Sequence, residues 1–130
     1  MTAAMRTLLS GTGVVIAAFC AISLAHGQKE TERFIPIGQS PGVSQKVTSI
    51  GEIAEVDESM RTVTIADPAG RRTVGITEKT RIWLDRTKLK QPNLPGSFAD
   101  LRKGRRVEVK YQDPERRLAA DWVKVEIAGP

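Results

Sequence analysis

MRTVTIADPAGRRTVGIT, residues 60–77, decides the fold class. Val63 and Ile65 alternate with Thr62 and Thr64, and Val74 and Ile76 alternate with Thr73, Gly75 and Thr77. A period of two sends successive side chains to opposite faces of an extended strand, so each run carries one apolar face. Between the runs lies Asp67-Pro68-Ala69-Gly70. There the proline fixes φ, and the glycine takes a left-handed residue that leads the chain back. The stretch predicts an antiparallel hairpin that buries Val63, Ile65, Val74 and Ile76 together.

The same texture extends in both directions. In KVTSIGEIAEVD, residues 46–57, the inward set changes phase around Gly51, from Val47 and Ile53 to Val56. That predicts a bulge or sharp bend in a long first strand. TRIWLD, 80–85, supplies Ile82 and Leu84. RRVEVKYQ, 105–112, turns Val107, Val109 and Tyr111 inward against Arg106, Glu108 and Lys110, and LAADWVKVEI, 118–127, turns Val123, Val125 and Ile127 inward. Residues 85–97 form a polar loop with two prolines. Ser97 to Asp100 then has the grammar of a helix start, with Ser97 as N-cap and Asp100 in the first turn, and Gly104 closes that element. The order predicts an all-β fold, a small five- to six-stranded barrel with one short helix before the last two strands.

The first 27 residues bear on location. Arg6 precedes an uncharged run from Leu8 to Ala25, and small residues near Ala25 and Gly27 suit a signal peptidase. This predicts a signal peptide over 1–27 and a periplasmic or secreted product. The competing reading is an uncleaved membrane anchor, since the run is just long enough to span a bilayer. Cys20 is a poor lipidation site, because Phe19 rather than a small residue precedes it. Residues 28–45, with two prolines and two glycines and no period, read as a flexible tether or a docked strap carrying Phe34, Ile35 and Ile37. The domain proper is expected over 46–130. Without Cys20 it has no disulfide to staple it, but its size suffices to bury a core of its own.

The order Gly51-Glu52-Ile53, Val56-Asp57, Arg61-Thr62-Val63-Thr64-Ile65, Thr80-Arg81-Ile82, Ala99-Asp100-Leu101, Lys103-Gly104-Arg105-Arg106-Val107-Glu108-Val109 and Leu118-Ala119-Ala120 resembles a widespread family of exported bacterial domains of unknown function with an OB-like barrel. The resemblance spans roughly residues 48–127 and rests on turn-and-strand grammar. It implies fold and export, and it carries over no active site. More loosely, the chain resembles periplasmic copper and silver chaperones with the same barrel, whose metal site combines a His, Met thioethers and a Trp. Only Met60, Trp83 and Trp122 match those types, and no His follows residue 26. No metal and no cofactor are therefore expected. If the signal were cut after Ala25, His26 would become an N-terminus able to chelate copper.

Beyond residue 27 there is no Cys or His, hence no thiolate nucleophile and no ordinary base near neutral pH. No serine sits in a Gly-x-Ser-x-Gly turn, and Asp57 with Glu58 or Asp113 with Glu115 fall in turns where acids are common. A non-catalytic binding or accessory module is expected.

Net charge is +5, and Arg102, Lys103, Arg105, Arg106 and Lys110 concentrate it. With Glu108 interrupting them, these cations read as a solvated strand face with ion-pair options. Nucleic acid is disfavoured, since OB-like barrels bind it through stacked aromatics and an exported protein rarely meets it. An envelope protein or a glycan is the expected partner, and a membrane only if the N-terminal segment stays attached.

Trp83 and Trp122 are the only tryptophans, each out of step with the aliphatics of its run. If the aliphatics fill the barrel, both indoles point outward and need cover. The 85–97 loop, Phe98 or the Phe34–Ile37 strap would provide it. Alternatively, Trp83 and Trp122 with Arg81 and Lys124 form a recognition patch.

Overall fold

The computed structural model describes residues 31–128; the signal-peptide reading, Cys20 and His26 lie outside them. A compact unit begins at Arg33. Its strands are β1 (Thr48–Asp57), β2 (Thr62–Asp67), β3 (Gly70–Gly75), β4 (Arg81–Asp85), β5 (Leu94–Pro95), β6 (Arg106–Tyr111) and β7 (Ala120–Glu126). They form one sheet in the order β3-β2-β1-β6-β7-β4-β5. The fold is all-β, as the alternation predicts, but the described residues form seven strands where five or six were expected. The additional pairing comes from Leu94–Pro95, which sits in the expected loop and pairs with Trp83 and Leu84. The expected helix is only a three-residue 3-10 turn, Phe98–Asp100. Its entry is built as the sequence implies, with the Asp100 carboxylate accepting the Ser97 N–H at 2.8 Å.

β1 serves both halves of the sheet. Residues 48–52 pair with β6 and residues 52–57 with β2, and the register slips between Ile53 and Glu55. The bulge thus falls a few residues after Gly51. Gly51 has a different duty: a Cβ there would lie 2.1 Å from the Ala66 carbonyl oxygen, so only glycine permits the crossing.

The sheet curls because β4 continues the course of β3 after a short break at residues 76–80. β3 pairs with β2, β4 pairs in parallel with β7, and an isolated parallel bridge joins Gly75 to Ala119 between them. Inside lie Ile53, Val63, Ile65, Val74, Ile76, Leu101, Val107, Val109, Tyr111, Val123 and Val125, all buried, with Ile82 packed against them but half-exposed. Leu84, expected inside, is also only half-buried. The interior has one polar contact of note, the Tyr111 hydroxyl donating to Ser49 Oγ at 2.8 Å.

Candidate functional site

The outer face of the sheet divides into two regions of opposite character. On β6, β7 and β4 the outward residues stand in cross-strand rows. Glu108 is opposite Lys124, which is opposite Trp83; Lys110 is opposite Trp122, which is opposite Arg81. The four residues of the candidate patch are therefore neighbours. The indole centroids are 5.7 Å apart, and the Lys124 ammonium lies 4.6 Å from the Trp122 ring. Arg81 is exposed, but Trp83, Trp122 and Lys124 are buried, Lys124 to 1% exposure.

The N-terminal strap lies along this face. Its two consecutive amides at Ile37 and Gly38 are held by carboxylates on either side of β7. The Ile37 N–H donates to Asp85 Oδ2 on β4 at 2.8 Å, and the Gly38 N–H donates to Glu108 Oε1 on β6 at 3.0 Å. Thr48 donates its hydroxyl to the other Glu108 oxygen at 2.8 Å, and the Thr87 N–H serves the other Asp85 oxygen at 3.0 Å. Asn93 fixes the start of the strap by donating to the Arg33 carbonyl while accepting from the Arg86 N–H. Buried carboxylates are tolerated where each oxygen has a donor, and both meet that condition.

One expectation is corrected here. The stretch from Arg106 to Lys110 is not a solvated strand face, because Glu108 at its centre is fully buried beneath the strap. The basic residues also do not form one surface. Arg106 pairs with Glu126 and Lys110 with Asp121, each at 3.4 Å. Arg102 and Arg105 donate to the carbonyls of Ala99 and Asp100. Lys103 projects elsewhere, beside the second region.

That region is the outer face of β1 and β2, which no strap crosses among the described residues. Glu55 pairs opposite Thr64, and Asp57 opposite Thr62. With Glu58, Ser59, Thr73 and Lys103 they line an open concavity of about 780 Å³. A second hollow of about 540 Å³ adjoins it, sharing Val56, Glu58 and Lys103 and adding Phe98, Leu101 and Arg102. The Arg61 guanidinium covers the Phe98 ring at 4.1 Å. At the tip of the β1–β2 turn, the Met60 N–H and the Ser59 hydroxyl donate to Asp57, holding its carboxyl below the usual range. Sequence reasoning noticed Asp57 and Glu58 only as turn residues. The cue it passed over is the row of threonines alternating with the core of the 60–77 hairpin.

Met60 is exposed on the β1–β2 turn while both indoles are buried, so thioether and indole do not share an accessible surface. Among the described residues, no three His, Cys, Asp or Glu side chains gather in a metal-binding arrangement.

No protein-family model matches the chain, and no curated protein is similar to it. Among solved structures it is similar to a Cu(II)-bound tryptophan-to-alanine variant of CusF from Escherichia coli. That similarity has 15% identity and a TM-score of 0.39, over 60% of this chain and 88% of that one. The copper belongs to that protein.

Proposed function

We propose that this chain is an exported, non-catalytic binding module with an OB-like barrel, whose ligand surface is the open concavity on β1 and β2. The observation that carries this reading is the contrast between the two outer faces. The aromatic face is buried and bonded to the chain's own strap at Asp85 and Glu108, whereas the β1–β2 face keeps exposed carboxylates, hydroxyls and one ammonium group around a hollow. Glu55, Asp57 and Glu58 accept hydrogen bonds, the threonines both donate and accept, and Lys103 donates. That set suits a polyhydroxylated ligand without net negative charge, the chemistry of a neutral or amino-sugar glycan.

The test is a titration of isotope-labelled protein with neutral and amino-sugar oligosaccharides, followed by amide chemical shifts. Shifts should concentrate at Glu55, Glu58, Thr62, Thr64, Thr73 and Lys103 and vanish in Glu58→Gln with Thr64→Val. Shifts confined to the strap and Arg81, or no shifts with any sugar, would refute the reading. Export is checked by N-terminal sequencing from cell fractions, expected to start at His26 or Gln28; an intact Met1 in the cytoplasm would exclude it.

A further inference from the structure

We infer that the free edge of β3 is a strand-addition site for an extended acidic segment of a partner protein. The site is distinct from the concavity, because it is made of main-chain groups rather than outward side chains.

Which backbone groups of β3 are free among the described residues follows from its pairing. The Ile76 N–H donates to the Arg61 carbonyl at 2.8 Å, on the β2 side. The Gly75 N–H points the opposite way and donates to the Leu118 carbonyl at 2.8 Å. Direction alternates along a strand, so the N–H and C=O of Thr73 and Arg71 also point away from β2. Side-chain geometry agrees: Thr64 and Thr73 are direct partners with hydroxyl oxygens 3.0 Å apart, as in the close, non-hydrogen-bonded pairs of an antiparallel ladder. The segment before β7 satisfies Gly75 and then leaves. Leu118 lies beside Gly75, but Arg117 takes a left-handed conformation at φ 55° and turns the chain off. Residues 70–73 of β3 are all exposed, and β3 is the terminal strand of the sheet.

The charge around this edge selects the partner. Arg71 and Arg72 are consecutive, so one guanidinium projects on each face of the edge strand. Arg116 and Arg117 stand on the turn that flanks its end. Arg116 is exposed and only 3.9 Å from Asp113, whose carboxylate already accepts the Glu115 and Arg116 amides. Arg117 lies over the Tyr111 ring at 5.5 Å. Asp67, at the far end, accepts the Ala69 N–H, and the acids on the flanking turn are Asp113 and Glu115, both exposed. Four arginines therefore surround one unpaired rung sequence, and the exposed Leu118 adds an apolar contact at its end. Main-chain pairing provides the affinity in such additions, while alternating side chains set specificity. Acidic residues at alternate positions of the incoming strand would meet the arginines.

The experiment uses a fluorescein-labelled heptapeptide alternating Glu with Val and Thr, read by anisotropy against the whole protein. Saturable binding is expected. Methylating the peptide's alternate backbone nitrogens should weaken it at least tenfold without changing its charge. Arg71→Glu with Arg72→Glu should do the same, and a lysine-for-glutamate peptide should not bind. Thr73→Pro, which removes an outward amide on an edge strand that tolerates proline, is the main-chain counterpart on the protein side. Undiminished binding of the N-methylated peptide would overturn the inference, as would equal binding of a single-stranded oligonucleotide of the same charge. Absence of binding up to millimolar peptide would also overturn it, leaving the arginines as protection of an edge against self-association.

Discussion

The β6–β7–β4 face and the β1–β2–β3 face are built from the same alternating grammar, yet one is dry and the other wet. Both carry charged residues at outward positions. On the first, Asp85, Glu108 and Lys124 are buried, the two carboxylates against the amides of the strap; on the second, Glu55, Asp57 and Thr73 stay exposed. Outward parity alone therefore does not mean solvent. What separates the two faces is whether a distant piece of chain supplies hydrogen-bond donors that let carboxylates leave water.

The sharpest test of this contrast removes an outward residue from each face. Trp83→Ala should cost about 3–5 kcal/mol in denaturant unfolding, because it empties a buried site beside Trp122. Thr64→Ala on the open face should stay within about 0.5 kcal/mol. Equal losses would mean that the strap covers without packing. A smaller effect separates the carboxylates. Glu108→Ala strips the acceptor from the Gly38 amide and the Thr48 hydroxyl, at about 1–3 kcal/mol for each donor left buried and unpaired. It should also expose residues 33–47 to limited proteolysis, whereas Glu55→Ala should change neither readout. The smallest effect concerns Asp57. Its carboxyl lies below its ordinary value of 3.8, chiefly through the Met60 amide and then the Ser59 hydroxyl. The folded pKa is below the unfolded one, so the contribution is present above about pH 4 and fades as pH falls through the folded value. Asp57→Asn should flatten this acid limb of the stability curve, and a variant with an unchanged limb would contradict the assignment.

The interior was legible because alternation is a local property. Val63, Ile65, Val74, Ile76, Val107, Val109, Val123 and Val125 are all buried. The same alternation correctly turned Trp83 and Trp122 away from the interior, and it brought Arg81 and Lys124 beside them. It failed where cover comes from far along the chain. Glu108 between Arg106 and Lys110 looks wet in any local window, and nothing in residues 28–45 has a period to match a sheet. Of the apolar trio read as a possible docked strap, Ile37 is buried but Phe34 stays exposed, and the bonds to the sheet come from the backbone amides of Ile37 and Gly38, which leave no side-chain signature. Leu94–Pro95 escaped for a related reason, since a two-residue strand is defined by its partner. The concavity, too, arises only when tertiary structure brings Lys103 beside the β1–β2 turn, with Phe98 in the adjoining hollow.

The seat of the strap has a consequence for how the chain acquires its structure. Ile37 grips a residue 48 positions ahead of it, and Gly38 one 70 positions ahead. The β1–β2–β3 meander can form from neighbours in sequence, but the strap has nowhere to dock until β4, β6 and β7 stand side by side. Contacts of such long separation come late, since the entropy of closing the intervening loop must be overcome first. The segment made earliest in the compact unit is thus the one that settles last. It should show slower amide protection than the hairpin in pulse-labelled refolding, and a proline at Gly38 should leave the hairpin's folding rate unchanged while accelerating global unfolding.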